Sequence, residues 1–544
     1  MGYNLVKLRQ LLPPLKMSPY FLAILAVAAF LFFFHLDQRP FWQDEAETAC
    51  LAKNVVETGL PYAFNGVNYI SQENGREFNA DYLWRWSPWG QIYLTAAAFY
   101  LLGANTFAGR LPFAIFGLLD VVFLYLLIKR KFNDERWACL AASLLASSVL
   151  FILYSRQCRY YSVVAFLIIA TLYFFRSNWQ TKFGPFCLLV LSLGLLFHTN
   201  YLVFGSFLVP FLVAAMITYP QELPITRTLM AALAIGILLI PGIMLFQFYN
   251  QAALLPHNDL LYRVYKYFTS YFAELFQFMV PLPICIYLLW RWGYLHKCKV
   301  PSDPKDKFIF FVSLIVVGNI LMLLLVPQRE HRYLIHLYPL AAIIVGWTVG
   351  KAYNYQKFSG VLLGVLLIFT NWMNLIPMNW LGITNRLSHN DFEMLTYPNI
   401  PMKQFLTELF SDYPDVNQNL IDFFNSHAQP GEVILVSYGD LPLQFYTPFQ
   451  VTGSLQGRLP LDSPDWVVKR IYTRYGRGYY LNKSEDYILR HLDLSKDYQK
   501  ISLRFPDDFF GNRPDPYYHR FVAPEWIPRL AVYRKKAKTI HEVN

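Results

Sequence analysis

The chain has 544 residues, 55% hydrophobic and 18% aromatic, with only 15% charged; a soluble chain carries about a quarter charged residues. That balance excludes an ordinary soluble globular protein, and apolar runs of roughly membrane-spanning length recur from Ser18 to Pro377. The net charge of +11 does not call for nucleic acid, because Lys and Arg collect beside membrane helices by the positive-inside bias.

Lys7, Arg9 and Lys16 precede the first span, about 18–36, so the N-terminus is expected in the cytoplasm. The span lacks a convincing signal-peptidase site and reads as a retained helix. The first external loop, 37–107, opens with Phe41-Trp42-Gln43-Asp44-Glu45-Ala46-Glu47. Three carboxylates within four residues are poorly explained by packing, although Asp44 and Glu45 also suit the first turn of an amphipathic helix running to Thr58 in the interface. Gly59-Leu60-Pro61 ends it. Trp86 to Gly103 holds Ser87, Pro88, Gly90 and Gln91 and is read as a juxtamembrane helix. That choice keeps the basic loops 129–136 and 291–307 in the cytoplasm with Arg176, Lys182, Arg227, Lys351 and Lys357.

Ten further spans are expected at about 108–128, 137–154, 160–175, 183–198, 201–218, 229–248, 271–290, 308–326, 333–350 and 358–376. With the first they make eleven and put the tail outside. Residues 1–377 are thus a multi-spanning catalytic region, and 378–544 an extracytoplasmic α/β domain. In that tail Val433–Val436, Trp466–Val468 and Leu530–Tyr533 read as strands, and Asp422–His427 as a helix end. No GxGxxG or GxxxxGK[ST] marks a nucleotide site. The six cysteines show no CxxC or Cys/His zinc spacing, and none follows Cys298.

The external face then collects Asp44, Glu45, the Arg156–Arg159–Tyr160–Tyr161 segment, His198, and Arg329–Arg332–Tyr333. Transfer of a sugar from a lipid phosphate uses such a set: a base for the acceptor proton, cations for the departing phosphate, and aromatic walls. A phosphate leaves well once its charge is met, so one carboxylate suffices. Asp44 is the candidate base, with Glu45 supporting it, orienting the acceptor or binding a cation. Arg156, Arg159, Arg329 and Arg332 are candidate phosphate ligands, with Arg85 a weaker one. Each arginine pair has the bland alternative of lipid-headgroup anchoring, and His198 that of a hydrogen-bonded structural residue. Trp42, Tyr160, Tyr161, His198 and Tyr333 are candidate walls of the sugar and acceptor pocket, although Trp is enriched at every bilayer interface.

Four features in order resemble the GT-C class of membrane glycosyltransferases. They are Trp42-Gln43-Asp44-Glu45 after the first span, Leu102-Gly103 with Gly109-Arg110, Arg156-x-x-Arg159-Tyr160-Tyr161-Ser162, and Arg332-Tyr333-Leu334 with Pro339. The resemblance covers about residues 18–345 and is to the branch of protein O-mannosyltransferases, aminoarabinose transferases of lipid A and lipopolysaccharide-core transferases. It implies a GT-C-like polytopic α-helical fold and an inverting transfer, on the external face, from a polyprenyl-phosphate-linked sugar to a lipid, glycan or protein hydroxyl. It also implies Asp44 as the base. The aminoarabinose branch has a Lys near the juxtamembrane helix, where this chain offers Arg85, and a later Asp where this chain has its Arg/Tyr-rich segment. The first departure leaves that phosphate contact open, and the second argues against an aminoarabinose substrate. A divalent cation, held by Asp44 and Glu45 if at all, stays open. The expected setting is a bacterial inner membrane. The rival class is a transporter or lipid flippase, for which Asp120, Pro241 and the Pro281/Pro283 pair would be mid-membrane features. A non-catalytic scaffold presenting the tail is a third reading, and it leaves the external arginines unexplained.

Overall fold

A computed structural model describes residues 17–246, 260–295, 297, 299–326, 328–381, 398–412, 415–460, 462–470, 482–508, 511–521 and 527–536. Lys7, Arg9 and Lys16, and part of the loop 249–270, lie outside the described residues. The chain forms two compact units. One is drawn from Met1–Phe34, Phe113–Phe405 and Asp515–Tyr517, the other from His35–Pro112, Leu406–Pro514 and Tyr518–Asn544. The sequence division at 377/378 kept the first external loop with the membrane region; in the structure residues 35–112 cluster with the sheet.

The first unit is helical. Among the described residues, five helices can cross a membrane by length and composition, Thr106–Phe132 (which begins just before the unit boundary), Tyr201–Thr218, Ile225–Leu245, Pro304–Leu323 and His331–Tyr355. The number rises to eight if each bent pair is one span. The expected continuous span 271–290 is corrected: helix Leu260–Phe278 stops and Leu282–Leu295 leaves it at 99°. Pro281 and Pro283 explain the break, since proline lacks the N–H a continuing helix needs. Residues 137–154 are likewise bent by 66° between Ala146 and Val149, and 358–376 by 85° after Phe369. Pro19–Phe33, Gly90–Leu102, Tyr161–Phe175 and Phe183–Thr199 are shorter apolar helices. Gly90–Leu102, with 13 residues, is about 20 Å long, short of a ~30 Å hydrocarbon layer. Close approach of helices uses glycine: a Cβ on Gly346 would come within 3.0 Å of the Ala141 backbone.

The second unit carries a five-stranded sheet of order β2-β1-β3-β5-β4, with β1 Val433–Val436, β2 Gln450–Gly453, β3 Trp466–Val468, β4 Tyr498–Pro506 and β5 Arg529–Lys535. β1 pairs parallel with β2 and β3, while β5 runs antiparallel to β3 and β4. The expected strands at 433–436, 466–468 and 530–533 are all present; β2 and β4 are additional. Apolar β1 and β3 pack against Leu420, Ile421 and Phe424 of helix Val416–His427. Strand β2 lies at the sheet edge, whose unpaired backbone needs partners. Asn68 of the first loop supplies them, accepting from Val451 N at 2.8 Å and donating to Phe449 O at 2.9 Å.

Helix Gln43–Thr58 is more buried than its amphipathic reading suggests, with Gln43 through Ala52 all inside the unit. Beyond it, the loop folds around the buried carboxyl of Glu77. That group accepts from Ser71 Oγ at 2.7 Å and from the Gln72 and Glu73 amides at 2.5 and 2.6 Å. Burial nevertheless raises it from 4.5 to about 7, the hydrogen bonds from Ser71 and Gln72 opposing the shift and the Glu47 charge adding to it. In the unfolded chain the proton leaves near pH 4.5, so between there and about 7 the folded state holds the extra proton. Stability therefore falls as pH rises through that window. Melting of Glu77→Gln protein at a series of pH values is expected to lack that component, while the wild type loses on the order of a few kcal/mol relative to it between pH 4.5 and 7. Parallel slopes for the two proteins would contradict the assignment.

Candidate active site

The sheet-bearing unit positions the acidic motif. Trp42 is the N-cap of helix Gln43–Thr58, and its amide reaches Glu45 Oε2 at 3.4 Å, one half of a capping box. Both Glu45 oxygens meet Arg110, with Nε at 2.8 Å and Nη2 at 2.7 Å. The same guanidinium donates to the carbonyls of Leu36 and Arg39 at 2.9 Å and Pro40 at 3.2 Å. Glu45 is 0% and Arg110 5% exposed, so this is a buried, two-pronged pair whose donors are otherwise satisfied. Its neighbour Gly109 is required: a Cβ there would stand 2.5 Å from the Phe41 ring. Glu45, expected as a catalytic auxiliary, has both oxygens engaged by Arg110. The Asp44–Glu45 pair does not fit a divalent cation, since binding through Glu45 means displacing Arg110.

Asp44 stands in the helix's first turn, where the helix dipole favours a carboxylate, and it is 8% exposed. Gln43 beside it donates to Asp440 Oδ1 at 2.8 Å, and Gln456 donates to Oδ2 at 2.9 Å. Burial raises the Asp440 carboxyl above its ordinary range, against these hydrogen bonds. Burial also raises the Tyr438 phenol, with Arg513 opposing and the Asp44 charge adding to the shift. Trp42 lies under the Arg513 guanidinium at 5.6 Å. Arg85 is half-buried, its amide bonded to Glu77 O at 2.7 Å.

The helical unit sorts the four other arginines. Arg156 Nη1 donates to the carbonyls of Leu31, Phe32 and Phe34 at 3.0, 3.2 and 2.8 Å. It closes the C-terminal end of helix Pro19–Phe33, where unpaired carbonyls and the dipole favour a cation. Arg329 pairs with fully buried Glu274 at 2.9 Å. Glu274 also holds Tyr517 at 2.6 Å and His331 Nδ1 at 3.2 Å, and His331 Nε2 meets the Tyr338 hydroxyl at 3.0 Å. Arg159, in the turn between helices Val149–Ser155 and Tyr161–Phe175, and Arg332, on the 3₁₀ turn His331–Leu337, both act electrostatically on the Tyr160 phenol, as do Tyr161 and Tyr333. Tyr160 and Tyr161 have ring centroids 4.7 Å apart, and Arg332 lies over Tyr333 at 5.7 Å. These contacts join Tyr160 to Tyr161 and Arg332 to Tyr333, and the charges of Arg159 and Arg332 both bear on the Tyr160 phenol.

His198 stands outside that cluster's interactions. Its Nε2 bonds Leu238 O at 2.8 Å on helix Ile225–Leu245, three residues before Pro241. That bond ties it to a proline-containing helix. Glu274 and Asp440 were missed in the sequence. A lone glutamate inside an apolar run is costly in a membrane unless paired, which was a usable signal for Glu274. Nothing local marks Asp440, whose partners Gln43 and Gln456 come from distant segments. Among the described residues no group of three His, Cys, Asp or Glu is arranged to hold a metal ion.

Removing one partner of a buried ion pair strands the other. Arg110→Ala is expected to cost about 3–5 kcal/mol of stability, read as a lowered melting temperature, while the double variant Glu45→Gln/Arg110→Met recovers part of it. Equal losses in both would contradict the pairing.

A family model described as dolichyl-phosphate-mannose-protein mannosyltransferase matches residues 87–245. No curated protein matches the chain. Among solved structures, ArnT from Cupriavidus metallidurans bound to undecaprenyl phosphate superposes with a TM-score of 0.53 at 12% identity, over 94% of this chain and 98% of that one. Its apo state gives 0.52 at 13% identity, over 94% and 97%. An apo oligosaccharyltransferase from Archaeoglobus fulgidus gives 0.42 at 13%, over 80% and 65%. The chain thus shares the fold of the ArnT structure along nearly its whole length, and its residues 87–245 are similar to the dolichyl-phosphate-mannose-protein mannosyltransferase family.

Proposed function

We propose that the chain is a membrane glycosyltransferase of the GT-C class, an inverting enzyme that moves a sugar from a polyprenyl-phosphate donor to an acceptor hydroxyl on the external face of the membrane. The observation that carries this reading is the fold shared along nearly the whole chain with a structure that holds undecaprenyl phosphate; Arg159 and Arg332, whose charges both bear on the Tyr160 phenol, are the candidate phosphate ligands. Two forked cations beside phenols suit a phosphate monoester. The donor class is supported by the solved relative's bound undecaprenyl phosphate and by the dolichyl-phosphate-mannose of the family model's description.

In this reading Asp44 takes the acceptor's proton as the acceptor oxygen attacks the anomeric carbon. The bond from that carbon to the phosphate oxygen breaks, and polyprenyl phosphate leaves with the electron pair, its charge met by Arg159 and Arg332. Tyr161 and Tyr333 bound the sugar. Glu45, Arg156 and Arg329 hold the scaffold through Arg110, helix Pro19–Phe33 and Glu274. Eleven crossings, with a cytoplasmic N-terminus and an external sheet in a bacterial inner membrane, require that helices Pro19–Phe33, Tyr161–Phe175 and Phe183–Thr199 also cross. Charge bias in the loops supports that arrangement.

The test is turnover of a polyprenyl-phosphate sugar by purified protein. Asp44→Asn is expected to lower kcat by about 10²–10⁴, the span of general-base catalysis, with KM for the donor little changed. A near-normal kcat removes Asp44 as the base. Arg332→Ala is expected to lower kcat/KM by at least about tenfold, equivalent to one charge-assisted hydrogen bond. Proton NMR of the product is expected to show the anomeric configuration opposite to the donor's; a retained configuration contradicts single displacement.

A further inference from the structure

A cavity of about 950 Å³ opens in the helical unit, and none of its lining residues belongs to the candidate active site. Its size is at the upper end of small-ligand pockets, roughly 300–1,000 Å³. One wall is apolar, formed by Val349, Val361, Val365 and Ile368 of helices Tyr338–Tyr355 and Lys357–Phe369. Glycine keeps that wall open. A Cβ on Gly350 would meet nothing within 4 Å, and one on Gly364 only Val349 at 3.6 Å.

The rim is of opposite character. Arg136, Lys305 and Lys351 line it. Lys305 bonds Asp134 at 2.5 Å, and Lys351 stands 3.7 Å from Asp306, which Arg291 also holds. Lys129 pairs with Glu135. Arg136 is exposed, lies over the Tyr353 ring at 5.5 Å, favours the ionised Asp134 and forms no ion pair among the described residues. Five cations thus face three carboxylates. Trp347, beneath Lys351 at 5.2 Å, adds the amphipathic ring common at membrane interfaces.

An apolar ligand makes no use of the cationic rim, and a soluble anion makes none of the apolar wall. An amphipathic anion satisfies both. We infer that this cavity binds an anionic phospholipid, its phosphate at Arg136 and Lys351 and one acyl chain along Val361 and Val365. Basic pockets between membrane helices recognise such headgroups. A zwitterionic lipid brings its own cation to the rim and is disfavoured there. The rim belongs to the basic loops that charge bias assigns to the cytoplasm, so the occupant comes from that leaflet and not from the donor pool.

Native mass spectrometry of the full chain, with phosphatidylglycerol, phosphatidylcholine or undecaprenyl phosphate added to delipidated protein, tests this. Phosphatidylglycerol is expected to bind at least about fivefold more tightly than phosphatidylcholine. Gly350→Phe, which fills the cavity without displacing protein atoms at its Cβ, is expected to abolish that preference. Should Gly350→Phe fail to fold, Arg136→Gln/Lys351→Gln is expected to reduce the preference in its place. Equal binding of the two phospholipids, a preference for undecaprenyl phosphate, or a phosphatidylglycerol preference unchanged in the folded variants would overturn the assignment.

Discussion

The buried pair of Glu45 and Arg110 is the interaction on which the acidic motif depends. One guanidinium gathers three backbone carbonyls from residues 36–40 and both oxygens of a carboxylate at the helix start. It therefore closes a first loop of some seventy residues onto its own beginning and fixes where helix Gln43–Thr58 enters. A paired, fully satisfied buried charge is tolerable, whereas either half alone is costly. Asp44, adjacent in sequence, stands on the same first turn.

The arginines divide by the same logic. Arg156 meets carbonyls at a helix end, and Arg329 meets the glutamate of a buried Glu–His–Tyr network. Both assignments use the forked donor geometry of arginine for structure. The charges of Arg159 and Arg332, from two elements, both bear on the Tyr160 phenol, and the proposed function gives them the donor phosphate. Gly117 contributes to that geometry. A Cβ there would come within 2.8 Å of Ser155, so its absence lets helix Thr106–Phe132 pack against the element that leads into the Arg156–Tyr160 turn.

Much of this was legible in the sequence for identifiable reasons. Apolar runs located the helices because a bilayer demands length and hydrophobicity, and β-branched runs located β1 and β3. The bends at residues 146–149 and 278–282 were not, because composition reports apolar content and not direction; Pro281 was the clue. The motif Trp42–Glu45 pointed to its own importance but not to the separate tasks of Asp44 and Glu45. That distinction rests on Arg110, 65 residues away. Spacing of three residues likewise made Arg156 and Arg159 look equivalent, although one faces the end of a helix and the other a tyrosine cluster. Asp440 and Glu274 came from tertiary pairing, which local patterns do not carry.

The central claim is that the enzyme consumes a polyprenyl-phosphate-linked sugar. Mass spectrometry of the lipids and envelope glycans of cells lacking this chain tests it most directly. A polyprenyl-phosphate sugar is expected to accumulate while one lipid, glycan or protein acceptor loses the mass of a single sugar, both reversed by the wild-type chain and not by Asp44→Asn. Unchanged lipid-linked sugar together with unchanged acceptors would contradict it.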